Sequence, residues 1–118
     1  MSLDGESELA RHQLSGGRML VWRDDGSPYD NTLHVYVLAA DGSTIDALEA
    51  GAAFTTNILT FQSEGQDVFD FSFFANDRIY RLRVDRKPSL RIPFSLPLGF
   101  RYKSTLGRHV ISVTTLKK

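Results

Sequence analysis

The 118-residue chain contains no cysteine. That absence excludes a disulfide scaffold, an iron–sulfur centre, a thiolate zinc site and a cysteine nucleophile. Long apolar runs are missing as well, and none approaches the roughly 18 residues a membrane-spanning helix needs. Met1 to Gly17 holds no apolar stretch of the signal-peptide kind, which sets a cytoplasmic expectation with no membrane partner. The sequence has no G-x-S-x-G elbow, G-x-G-x-x-G fingerprint, P-loop or H-E-x-x-H pair. Common α/β-hydrolase, nucleotide and zincin chemistries therefore lack their local signatures. What is present is ordinary for a folded domain: 42% hydrophobic residues are too many for intrinsic disorder. The length suits a single domain with one core.

The formal net charge of zero conceals an asymmetry. Residues 1–77 carry 13 acids against 3 bases, whereas residues 78–118 carry 11 bases against one acid, Asp85. Segregation of this kind predicts an acidic and a basic surface if it survives folding. Strands from the two halves can also pair and cancel it.

Strand patterning dominates the rest. Residues 1–17 read as an N-terminal segment, flexible or carrying one or two helical turns over Glu6–Leu14 before Gly16-Gly17. Arg18–Arg23 and Thr32–Ala40 read as strands separated by the turn-rich Asp24–Asn31. In the second, Leu33, Val35 and Val37 share one face and His34, Tyr36 and Leu38 the other. Asp41-Gly42 signals a two-residue hairpin back into Ser43–Leu48, with a short helix over Ile45–Ala50 as the rival. Phe54–Gln62, Val68–Phe74 and Ile79–Val84 form a central meander. A turn at Asn76-Asp77 sets Phe73 opposite Tyr80, Phe71 opposite Leu82, Phe69 opposite Val84 and Asp70 opposite Arg83. One face is then apolar and the other charged. Pro88, Pro93 and Pro97 make Asp85–Gly99 an edge strand or crossover. Phe100–Lys103 and His109–Leu116 close the chain as a strand pair. The expected fold is all-β: a single-domain antiparallel β-sandwich or small β-barrel of about seven or eight short strands, spanning residues 18–118, with at most one or two short helices.

Candidate chemistry is sparse. His12, His34 and His109 lie far apart and form no metal-ligand spacing. Asp24, Asp25, Asp30 and Asn31 offer oxygen ligands without the EF-hand spacing, and turn composition explains them equally well. No metal or cofactor is expected. Phe69, Phe71, Phe73 and Phe74 suit a β core better than a ligand cavity. The most specific feature is a basic set, Arg81, Arg83, Arg86, Lys87, Arg101 and Lys103, with Tyr102 among the bases for stacking. Three functions follow in order. The first is a non-enzymatic module binding another protein or its own copies through complementary charged faces. The second is a binder of an acidic partner, single-stranded nucleic acid or a phosphorylated ligand, through that basic set. The third is an enzyme pairing His34 or His109 with a carboxylate.

Overall fold

Period-two alternation, half buried and half wet, builds two sheets. The computed structural model describes residues 7–24, 32–51, 58–74, 78–90, 96–97, 99–103 and 108–117. The strands are β1 (Ser7–Gln13), β2 (Met19–Asp24), β3 (Leu33–Leu38), β4 (Thr44–Ala50), β5 (Thr60–Glu64), β6 (Val68–Ser72), β7 (Ile79–Leu90), β8 (Phe100–Tyr102) and β9 (Arg108–Lys117). A five-stranded antiparallel sheet has the order β1-β2-β3-β4-β8, and a four-stranded one the order β5-β6-β7-β9. The fold is a β-sandwich, one of the two architectures the strand pattern leaves open. Among the described residues no helix is long and apolar enough to cross a membrane.

The inward faces interlock. Leu20 and Trp22 of β2, Leu33, Val35 and Val37 of β3, and Leu48 and Ala50 of β4 pack against Phe69 and Phe71 of β6, Tyr80, Leu82 and Val84 of β7, and Val110, Ile111 and Val113 of β9. The Phe71 ring sits at the centre, 5.2 Å from Trp22, 5.8 Å from Tyr80 and 6.1 Å from Phe100 by centroid. The outward side of the larger sheet is also apolar in part. Val21, Tyr36, Leu38 and Ala47 form a second buried cluster, with Met19 against it. That explains why β3 is apolar on both of its faces.

The β6–β7 hairpin keeps its predicted faces but not its predicted register. Phe71 pairs with Tyr80, Phe69 with Leu82, Asp70 with Arg81 and Val68 with Arg83. The whole ladder is displaced by two residues, so Asp70 meets Arg81 rather than Arg83. A two-residue slip preserves which side chains point inward, and the alternation carries no information against it. The expected apex at Asn76-Asp77 lies outside the described residues.

Four further differences have local causes. Residues 7–13, within the expected helical turns, form edge strand β1 instead, because pairing with β2 outweighs the helix propensity of Glu, Leu and Ala. The β3–β4 turn encloses three residues, 40–42, between the bonded Ala39 and Ser43, rather than two: Gly42 donates to Ala39, Ala39 donates to Ser43, and Gly42 adopts φ +90°. Asp41 fixes the turn by accepting from the Ser43 backbone and hydroxyl. Strand β7 continues through Pro88 to Leu90, with a bulge between Val84 and Ser89 where it faces β9. The last two strands do not pair with each other; β8 joins β4 and β9 joins β7. Of the strand expected over Phe54–Gln62, residues 54–57 lie outside the described residues and the remainder contributes β5.

Truncating Phe71 to Ala should cost about 3–5 kcal/mol in a urea melt, and Arg83→Glu only a small fraction of that. Double-mutant cycles should find Asp70 coupled to Arg81 and uncoupled from Arg83.

Candidate functional site

The folded chain divides the basic set between the two sheets. Arg81 and Arg83 point outward from β7 in the four-stranded sheet, since Tyr80, Leu82 and Val84 between and beside them are buried. Arg101 is exposed on β8 of the other sheet. Arg86 and Lys87 are exposed on the bulged part of β7. Tyr102 leaves the set altogether: it is buried, donates its hydroxyl to the Ile111 carbonyl at 2.6 Å and stacks on His109 with centroids 3.7 Å apart. Acids from the first half pair with bases of the second. Asp70 takes Arg81 in two hydrogen bonds of 2.8 and 3.1 Å. Glu49 takes Arg101 and, at 3.9 Å, Lys103. The Lys103 ammonium also lies 5.1 Å over the Tyr36 ring. Among the described residues cross-half pairing thus offsets part of the segregation along the sequence, and the seven residues do not share one face.

His109 does find a carboxylate, but in the interior. It is 2% exposed, and its Nδ1–H donates to Asp46 Oδ1 at 2.8 Å. The same carboxylate accepts from the Ala47, Val110 and Ile111 backbone at 2.9, 2.9 and 3.2 Å. Asp46 belongs to β4 and its last two donors to β9, so this network ties one sheet to the other. It is built for holding, with no access for a substrate. His34 faces outward from β3, opposite Arg23 and Glu49. Among the described residues no group of three or more metal-ligating side chains comes together; residues 25–31, with most of the acidic loop, lie outside them.

The opposite side of the sandwich is different. Here β1 and β5 are both outer strands of their sheets, and His12 joins them. Trp22 Nε1–H donates to His12 Nδ1 at 3.0 Å. An indole can only donate, so Nε2 carries the imidazole hydrogen and donates to Glu64 at 2.6 Å. Phe61 and Phe69 flank the same ring, with centroids at 5.1 and 4.5 Å. Beside this box opens a cavity of about 430 Å³ lined by Leu9, Asp24, Ile58, Leu59 and Phe61. Leu9 is the extra residue of a bulge in β1 and stands 44% exposed; Ile58 is 74% exposed.

A second cavity, of about 350 Å³, lies at the turn after β1 and is lined by Ser15, Gly16, Arg18 and Arg86. Asp67, in the β5–β6 turn at φ +61°, accepts from the Ser15 backbone at 2.9 Å and from its hydroxyl at 2.5 Å. Arg18 lies 3.8 Å away and donates to the Asp85 carbonyl at 2.7 Å.

Comparison with protein-family models, curated proteins and solved structures finds no match. Of the residues that shape the two cavities, the sequence reading singled out only Arg86 and the acidic-loop Asp24. His12 meets Glu64 across 52 positions and Ser15 meets Asp67 across 52, separations that no local motif signals. The one available hint was positional, a Gly-Gly pair followed by an arginine.

Replacing Asp46 with Asn should cost about 3 kcal/mol in chemical denaturation, because one of four buried acceptor positions becomes a misdirected donor. Burial alone would raise the Asp67 carboxyl; the Ser15 hydrogen bonds, Gln66 and the Arg18 charge outweigh it and hold the group below the ordinary aspartate value. A carboxyl lowered in the folded state contributes stability above its unfolded value and loses it as pH falls toward the folded one. Stability measured by urea melts should therefore drop below about pH 4, and Asp67→Asn should make that drop shallower.

Proposed function

We propose that this domain is a non-enzymatic protein-interaction module that receives a partner polypeptide in the groove between β1 and β5. One observation carries the reading: Leu9 and Ile58 converge, largely exposed, on a cavity walled by Leu59 and Phe61 where the outer strands of both sheets meet. Exposed apolar side chains gathered around a concavity mark interaction sites far better than isolated ones. The fitting partner is an extended segment presenting a large aliphatic or aromatic side chain. Both flanking strands carry a bulge, at Leu9 in β1 and at Gln62 in β5. Bulges blunt a sheet edge against indiscriminate strand addition, which favours recognition by side-chain insertion over ladder extension. Cross-half ion pairing supports this reading over an extended basic surface for nucleic acid, and the burial of His109 supports it over acid–base catalysis.

The test is selection of a displayed peptide library on the wild-type domain. Selected peptides should carry a large apolar residue, and Ile58→Asp should weaken them by about tenfold or more, equivalent to at least ~1.4 kcal/mol. Far-ultraviolet dichroism and the urea midpoint should stay unchanged, since Ile58 is exposed. Peptides that bind the variant equally well would refute the groove. Light scattering at high protein concentration, at low and high salt, addresses the occupant. Self-association that disappears with Ile58→Asp would assign the groove to a second copy, and a monomer throughout would assign it to a different protein.

A further inference from the structure

We infer that the cavity at the Ser15–Arg18 turn binds the phosphate or sulfate group of a small molecule. Among the described residues its lining holds two guanidinium groups and no carboxylate. Arg18 is fixed before any ligand arrives. Its side chain is 12% exposed, with Nε donating to the Ser15 carbonyl at 3.0 Å, one terminal nitrogen to the Asp85 carbonyl at 2.7 Å and the other to the Ser15 hydroxyl at 3.2 Å. Three of the five N–H groups of a guanidinium are thereby used, which leaves one on each terminal nitrogen. Two parallel N–H groups are the fork that chelates two oxygens of a tetrahedral anion. Asp67, at 3.8 Å from the nearer nitrogen, is beyond hydrogen-bond distance, and its oxygens already accept from Ser15.

Arg86 supplies the second charge. It is exposed, lines the same cavity and has no ion-pair partner among the described residues. Gly16 forms part of the wall at φ +74°, and a methyl group built there would meet nothing within 4 Å. The wall is bare backbone, open to close approach by a ligand. A volume of about 350 Å³ exceeds a lone oxyanion and falls at the small end of small-molecule pockets. Among the described residues Arg81, Arg101 and Lys103 are occupied by Asp70 and Glu49, which leaves fewer cations for a nucleic-acid backbone to follow. This site lies apart from the β1–β5 groove, and neither reading depends on the other.

The experiment is an amide NMR titration of the full chain with inorganic phosphate, against chloride at matched ionic strength. Saturable shifts confined to residues 15–18 and Arg86 are expected. Arg86→Ala and Arg18→Lys should each weaken binding by about tenfold or more, since each removes a charge-assisted contact or the fork. Arg83→Ala, further back on the same strand, should leave it unchanged. Glucose 6-phosphate should bind at least as tightly as inorganic phosphate. Shifts that fail to saturate, that chloride reproduces, or that Arg83→Ala and Arg86→Ala diminish equally would overturn the proposal. So would exclusion of the sugar ester, or a labelled oligonucleotide binding equally well to wild type and Arg86→Ala.

Discussion

The structure depends on one buried carboxylate. Pro88 brings no N–H to β7, and the strand bulges so that residues 85–88 stand opposite Val110 alone. The Val110 and Ile111 amides of β9, an outer strand of its sheet, donate to Asp46 of the other sheet. Left without an acceptor in the interior, each would carry the desolvation penalty of an unmade hydrogen bond. Asp46 answers both with a single oxygen and uses the other for His109 and Ala47. Tyr102 then covers the imidazole and takes up the Ile111 carbonyl. One carboxylate of the larger sheet thus satisfies polar groups of the smaller one and fastens the two together.

Among the described residues the sandwich has three such polar fastenings. The Asp46 network closes the β4–β9 side in the dry interior. His12 spans β1 and β5 at the wetter margin, and Ser15, Asp67 and Arg18 join the turns at one end. Arg18 also continues the ladder where β6 stops. Val84 still donates to the Asp67 carbonyl, and the carbonyl of the next residue, Asp85, accepts from the guanidinium. The two cavities sit beside the outer two fastenings, where polar braces hold the sheets and side chains do not fill the space between them. Rigid anchoring next to unfilled volume is what a preorganised binding site requires.

How much of this was legible in the sequence follows from which errors the pattern could detect. The inward set Phe69, Phe71, Tyr80, Leu82 was readable, because a one-residue slip would have buried Arg81 and Arg83. The two-residue displacement was invisible, because it exchanges one apolar neighbour for another. Strand β1 escaped notice for a different reason. The bulge at Leu9 breaks its alternation, so Ala10 and His12 point inward out of phase with what precedes them. The basic set looked like one surface because spacing along a strand gives its face but not its sheet. Neither cavity had a local signature, since each gathers residues more than forty positions apart.

Strand order has a consequence for how the chain acquires its fold. Strands β1 to β4 and β5 to β7 are two consecutive meanders, each assembled from neighbours in sequence. The final two strands then part company, one to each sheet, and β9 brings Val110, Ile111 and Val113 together with the amides that Asp46 requires. Before β9 is in place, Asp46 lacks three of its four donors and the smaller sheet a quarter of its strands. The sandwich therefore does not close strand by strand along the sequence but waits for β9. Long-range closure of this kind folds slowly, and the apolar faces of the two meanders stay unsealed until β9 joins.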